Sequence, residues 1–109
     1  MKILILGAGR VGSSLASTLS RENYDVSIID HNKDKLLRLQ EDFDLATVIG
    51  HASHPNTLES AGADEETILL AVTSSDECNI ASCQIAKSKF KVKKTICRLS
   101  DASYLDSLD

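Results

Sequence analysis

The sequence predicts a Rossmann-like α/β fold, in which a doubly wound parallel sheet lies between two layers of helices. Two observations lead to this prediction. Continuous apolar segments, which are typical of parallel strands covered on both faces, alternate along the chain with segments of helical period. In addition, Gly7, Gly9 and Gly12 stand between the first apolar segment and the first helical one.

Five segments are predicted strands because they are rich in Ile, Leu, Val and Ala and show little polar alternation. A strand, a helix and a parallel strand in succession connect by a right-handed crossover, so the alternation builds one open sheet. The predicted strands are Lys2–Leu6, Val26–Asp30, Ala46–Ile49, Thr67–Val72 and Thr95–Leu99.

Helical spacing and end signals mark the segments between these strands. Apolar residues recur on one face of the first two helical segments, at Val11, Leu15 and Leu19 and then at Leu36 and Leu39. The third and fourth helices are predicted from Pro55 at a first helical position, Gly62 at a helix end, and a Ser74–Glu77 capping box.

The end of the chain predicts a continuation. A dinucleotide-binding fold of this type has six strands, and the sequence provides five. Tyr104, Leu105 and Leu108 have the spacing of a further amphipathic helix. We therefore expect residues 1–109 to be one domain, truncated before its last strand, within a longer polypeptide.

The three glycines form a GxGxxG motif after a strand and before a helix. A motif in this position is typical of a diphosphate-binding turn. Gly7 permits the tight turn, Gly9 lets the backbone approach the pyrophosphate, and Gly12 allows close packing of helix and strand. The helix N-terminus offers free N–H groups to the phosphates. Arg10 adds a cation inside this loop.

Asp30 ends the second predicted strand, where a ribose-binding acid belongs, about 20 residues beyond the glycines. Its carboxylate would accept hydrogen bonds from ribose hydroxyls and repel a 2′-phosphate, which favours NAD⁺ or NADH over NADP(H). ATP or ADP is an alternative occupant of the same groove. A Rossmann loop that binds only AMP-type nucleotides, or nothing, is the competing interpretation.

Open α/β sheets bind ligands at the carboxyl ends of their strands. That rule selects Gly50 and His51 after the third strand, Thr73 and Ser74 after the fourth, and Arg98 near the end of the fifth. Thr73 and Ser74 either contact a ligand or cap the fourth helix. A buried Arg98 would need an anion, either a nucleotide phosphate or Asp76.

Bulk properties exclude several classes of protein. The formal net charge is −4, whereas a nucleic-acid-binding protein needs a basic face. The chain has no apolar run of about 20 residues and no signal peptide. Three cysteines without a CxxC pair predict reduced thiols in the cytoplasm. His51 and His54 supply at most two metal ligands, which disfavours a metal site.

These segments together resemble the RCK/KTN family, and in particular the TrkA-N domains of regulatory subunits in bacterial Trk potassium-uptake systems. The resemblance covers nearly the whole chain. It is most specific in GHASHPNTLESAGADEETILLAVTSSDECN, residues 50–79, which ordinary dehydrogenases lack. Many relatives have aspartate where this chain has His51. The other matching segments are MKILILGAGRVGSSLA, VSIIDHNKDKLLRLQEDFDL and TICRL.

The resemblance implies a non-catalytic, NAD(H)-binding regulatory domain. Its partners would be a membrane potassium-conducting Trk subunit and further copies of the domain, assembled as dimers or rings at the inner face of the cell membrane. The family motif places ligand contacts on residues that the sequence argument had already selected: Gly7, Ala8, Gly9, Arg10, Val11, Asp30, Thr73, Ser74 and Arg98.

The alternative function is the cofactor domain of an NAD-dependent oxidoreductase. Such an enzyme needs a general acid or base beside the nicotinamide. The predicted strand ends offer His51, Thr73, Ser74 and Cys97 but no convincing proton-transfer pair. The sequence therefore favours ligand sensing over catalysis.

Overall fold

The computed structural model describes residues 1–104, in which five strands alternate with four helices as the sequence predicts. None of these helices is long and apolar enough to cross a membrane. Tyr104 is the last described residue, so the predicted helical positions Leu105 and Leu108 lie outside the described part of the chain. The elements are β1 Lys2–Leu6, α1 Arg10–Arg21, β2 Asp25–Asp30, α2 Lys33–Asp42, β3 Ala46–Ile49, α3 Pro55–Ser60, β4 Thr67–Ala71, α4 Asp76–Phe90 and β5 Lys94–Cys97.

The five strands form one parallel sheet in the order β3-β2-β1-β4-β5. The chain builds outward from β1 to β3 and then crosses back to place β4 on the other side of β1. Leu6 at the end of β1 is in register with Ile29 of β2 and Ala71 of β4. The loops that follow these strands therefore meet at one edge, on both sides of the point where strand order reverses.

Two apolar layers cover the sheet, one on each face. Alternate residues of β1 point to opposite sides, so Ile3 and Ile5 pack in the α1–α2 layer while Leu4 and Leu6 pack in the α3–α4 layer. Leu4, Ile5 and Leu6 are completely buried. Each such side chain contributes about 1.5–3 kcal/mol of transfer free energy, which holds the strand ends in place.

Several predicted element boundaries are wrong by one or two residues. The fifth strand is Lys94–Cys97, so Arg98 lies just beyond it. The N-cap of α4 is Ser75, whose Oγ accepts from the Cys78 N–H at 3.1 Å. Ser74 is therefore not the cap, and the Ser75 N–H donates to the Thr73 hydroxyl at 3.2 Å. Smaller shifts place Asp25 inside β2 and Val72 outside β4.

Candidate functional site

A cleft of about 620 Å³ opens at the carboxyl edge of the sheet, over the reversal point between β1 and β4. Its volume lies within the usual range for small-molecule sites, about 300–1,000 Å³. Two of the predicted site residues, Ala8 and Gly12, do not line it. The predicted residues that line it are Gly7, Gly9, Arg10, Val11, Asp30, His51, Thr73, Ser74 and Arg98.

The glycine turn is built by close backbone contacts. Gly7 has a φ of +105°, which a residue with a Cβ rarely adopts, and its N–H donates to the Ile29 carbonyl at 2.8 Å. A Cβ at Gly12 would lie 1.7 Å from the Gly7 carbonyl oxygen. The first and third glycines are therefore required by the fold itself.

Gly9 is different, because neither backbone nor packing requires a glycine there. Its φ of −76° and ψ of −160° suit any residue. A Cβ at this position would find nothing within 4 Å among the described residues. Gly9 lines the cleft, so the missing side chain leaves open space where a ligand can approach the backbone.

Replacing Gly9 with alanine should therefore separate binding from stability. We expect stability to fall by about 1 kcal/mol or less, since the change only replaces glycine by alanine at an N-cap. Nucleotide affinity should fall about tenfold or more, because the methyl group occupies the phosphate approach. Urea unfolding and calorimetric titration with NADH measure the two effects. Unchanged affinity would show that no ligand group approaches Gly9.

The N-terminus of α1 carries positive potential at the cleft. Gly9 is its N-cap and provides no capping side chain, and the first intrahelical bond runs from the Ser13 N–H to the Gly9 carbonyl at 2.9 Å. The N–H groups of Arg10, Val11 and Gly12 are those that a helix leaves without an intrahelical acceptor. Together with the helix dipole, they favour a bound anion.

Asp30 is fixed beside this N-terminus by two backbone donors. Its Oδ1 accepts from the Ala8 N–H at 2.9 Å, and its Oδ2 accepts from the Asn32 N–H at 2.8 Å. The side chain is 10% exposed, and His31 Nδ1 lies 3.9 Å from Oδ2. Because each carboxylate oxygen accepts more than one hydrogen bond, Asp30 can bind ligand hydroxyls without losing these contacts. Ala8 thus acts by orienting Asp30.

Arg98 corrects the sequence argument. It is exposed, not buried, and lines the cleft, because it continues the exposed side of the edge strand β5, on which Lys94 and Ile96 also lie. Within residues 1–104 it forms no salt bridge. Asp76, its proposed partner, instead accepts hydrogen bonds from Ser100 and Asp101. These hydrogen bonds lower the pKa of Asp76, and the bond from the Ser100 N–H contributes most. The positive charge of Arg98 lowers this pKa further.

His51 and His54 lie on the loop after β3, with ring centroids 4.9 Å apart in a stacked arrangement. His51 is exposed and lines the cleft, and its Nδ1 is 2.9 Å from the Ser53 hydroxyl. Within residues 1–104, no group of three or more His, Cys, Asp or Glu side chains is placed to hold a metal ion.

Sequence reasoning missed several residues at the site, among them Lys35, Ser75, Cys78 and Asn79. Lys35 reaches the cleft from α2, and with Arg10 it also borders a neighbouring depression of about 370 Å³. Ser75 and Cys78 line the cleft from the start of α4. Asn79 lies completely buried behind it. Only Asn79 left a signal, as an amide on the same helix face as the buried residues Cys83 and Ala86.

Cys83 is a core residue, as its small apolar character predicts, whereas Cys78 is only half-buried at the cleft. Burial raises the pKa of the Cys83 thiol to about 11. The thiolate is the nucleophile, and at pH 8 roughly one Cys83 side chain in a thousand is in the thiolate form. We expect iodoacetamide to modify Cys83 at least 100-fold more slowly in the native chain than in urea, as measured by peptide mass spectrometry. Equal rates would contradict its burial.

Comparison with known proteins agrees with this geometry. The TrkA-N domain family matches residues 3–109. The chain belongs to the TrkA-N domain family. A Trk system potassium uptake protein TrkA from Vibrio alginolyticus is 49% identical over 105 residues, and one from Haemophilus influenzae is 41% identical over 109 residues. These alignments cover 96% and 100% of this chain but only 23% and 24% of the relatives, so the chain spans about a quarter of their length.

Several solved structures share the fold of this chain. An NAD(P)-binding domain of an exopolyphosphatase-related protein from Archaeoglobus fulgidus aligns with a TM-score of 0.82 at 22% identity, covering 96% of this chain and 77% of that one. The GsuK channel bound to NAD aligns with a TM-score of 0.76 at 20% identity, and the alignment covers 98% of this chain and 20% of the channel chain. The AMP-bound Kef carboxy-terminal domain from Shewanella denitrificans aligns with a TM-score of 0.79 at 24% identity, and the alignment covers 95% of this chain and 62% of that domain's chain.

Proposed function

We propose that this TrkA-N domain binds NAD⁺ or NADH in the cleft between β1 and β4. One observation carries the proposal: the uncapped N-terminus of α1 and the oriented carboxylate of Asp30 line one cleft across the reversal point of the sheet. The diphosphate would lie on the N–H groups of α1 and the adenosine ribose on Asp30. Gly7, Gly9, Arg10, Val11, His51, Thr73, Ser74 and Arg98 are the other proposed contacts.

The preference for NAD(H) over NADP(H) comes from Asp30. Two unit charges about 4 Å apart cost about 4 kcal/mol at an effective dielectric near 20, which disfavours a 2′-phosphate. Lys35 and Arg10 line the same cleft and would partly offset that repulsion. Calorimetric titration with NAD⁺, NADH, NADPH, ATP and ADP tests the preference. Tight NADPH binding without NADH binding would overturn it.

We further propose that the domain regulates rather than catalyses. The relatives are named as potassium uptake proteins, and a bound nucleotide regulates when it binds two conformations of an assembly unequally. The partner would be a membrane potassium-conducting Trk subunit, contacted at the cytoplasmic membrane face. Co-reconstitution with that subunit should give nucleotide-dependent potassium flux. Turnover of NADH by the chain with a small carbonyl substrate would instead favour the oxidoreductase alternative.

Self-association of the domain into dimers or rings is also part of the proposal. Two copies that meet would link the nucleotide sites and transmit a change from one to the other. Sedimentation velocity with and without NADH measures the assembly state. A monomer at high protein concentration under both conditions would contradict assembly through this domain.

A further inference from the structure

Asn79 is a completely buried amide on the first turn of α4, behind the cleft. Its Oδ1 accepts from the Thr73 N–H at 3.0 Å and from the Thr73 hydroxyl at 2.6 Å. Its Nδ2 donates to the Thr73 carbonyl at 3.1 Å and to the Arg98 carbonyl at 2.9 Å. An asparagine side chain has two donors and two acceptor lone pairs. All four are used.

These four bonds join two loops that the sequence separates by a whole helix. Thr73 follows β4 and Arg98 follows β5, and the two strands are neighbours in the sheet. The Arg98 N–H also bonds the Ala71 carbonyl at 2.9 Å. Asn79 therefore holds the cleft residues at the ends of β4 and β5 as one unit.

The same unit rests against the glycine turn. A Cβ at Gly7 would lie only 3.0 Å from Thr73 Cα, so the backbones of Gly7 and Thr73 are in direct contact. Asp30, on the other side of the reversal point, is held separately by Ala8 and Asn32. Different hydrogen bonds thus hold the two halves of the cleft.

A dinucleotide spans such a crevice, with its adenosine ribose on the acid after β2 and its second half beyond the pyrophosphate. We propose that Asn79 is a positioning residue for that second half, through Thr73 and Arg98, and that it has little influence on the adenosine half. This inference rests on the proposed binding of NAD(H). It predicts that Asn79 affects NADH, which reaches both halves, but not AMP, which occupies only the first.

The test compares NADH and AMP affinities of the Asn79→Asp chain by calorimetry. Aspartate keeps the shape but loses both Nδ2 donors, leaving the carbonyls of Thr73 and Arg98 facing a carboxylate. We expect NADH affinity to fall about tenfold, as for the loss of two buried hydrogen bonds. AMP affinity should stay within about twofold.

Thr67→Val is the matched control. Thr67 is 1% exposed at the opposite end of β4, and its hydroxyl bonds Asp64, so the variant loses buried polar contacts far from the cleft. It should bind both ligands normally. Equal weakening of NADH and AMP by Asn79→Asp, or no change in either, would overturn the inference. A parent chain that binds neither ligand would contradict the proposed function instead.

A measurement on the unaltered chain covers the case in which Asn79→Asp fails to fold. The side-chain amide of Asn79 gives its own signals in a ¹⁵N-correlated NMR spectrum. NADH should shift these signals because it contacts the loops of Thr73 and Arg98, which Asn79 joins. AMP should leave the signals unchanged. Shifts of equal size with both ligands, or with neither, would contradict the assignment.

Discussion

Replacement of Gly12 with alanine is expected to remove the nucleotide site and most of the stability margin of the domain. The new Cβ would lie 1.7 Å from the Gly7 carbonyl oxygen, which is a backbone atom of the turn itself. Alanine gains about 1 kcal/mol in helix propensity, but overpacking against a rigid backbone costs about 3 kcal/mol or more. The overlap wins. Thermal unfolding should show a midpoint lower by roughly 10 °C or more.

Gly9→Ala is the natural comparison, because it adds the same methyl group at the preceding glycine of the motif, where a Cβ has no neighbour within 4 Å among residues 1–104. The Gly12 variant should lose stability and binding together, whereas the Gly9 variant should lose binding alone. If both variants unfolded at the same temperature, the close contact between α1 and the glycine turn would be wrong.

Replacement of Asp30 with alanine is expected to give the largest loss of affinity in a chain that still folds. Each hydrogen bond from a ribose hydroxyl to this carboxylate contributes about 1.5–3 kcal/mol, so NADH affinity should fall roughly 10- to 100-fold. The variant also leaves the N–H groups of Ala8 and Asn32 without this acceptor, and because Ala8 is only 3% exposed, stability should fall by about 1–3 kcal/mol. Calorimetry with NADH and AMP measures the effect.

Asp30→Ala should weaken NADH and AMP to a similar degree, since both ligands carry the adenosine ribose. This result distinguishes Asp30 from Asn79, whose replacement should weaken NADH alone. Cys83→Ser is the control, because Cys83 is 8% exposed in the core and does not line the cleft. The affinity of the Cys83→Ser variant for NADH should be nearly unchanged. Equal affinities of the Asp30 and Cys83 variants would refute the assignment of Asp30 to the ribose.

Local patterns were enough to predict the order of strands and helices and the position of the glycine turn. Apolar runs such as Lys2–Leu6 and Ala46–Ile49 have the same bounds in the sequence prediction and in the structure. Asp30 was predicted at a strand end beside the turn, and its carboxylate lies there. These predictions succeeded because each depends on short-range spacing that survives folding.

Other features depend on contacts that form only in the folded chain. The N-cap lies at Ser75, whose hydroxyl accepts from the Cys78 N–H, and not at Ser74. Arg98 is exposed because β5 is an edge strand of the sheet, in which Lys94 and Ile96 are exposed as well. Lys35 reaches the cleft only because α2 packs beside β2. None of these contacts follows from periodicity along the chain.

A parallel sheet with a diphosphate-type turn and an acid one strand away could be predicted from the residues in order, because glycine, apolar period and strand-end position are local properties. The groups that support the cleft are known only from the folded chain. Asn79 joins residues that are 6 and 19 positions away, and a buried amide is stable only where folding brings four hydrogen-bonding partners to it. That convergence is a property of the packed sheet and not of any segment alone.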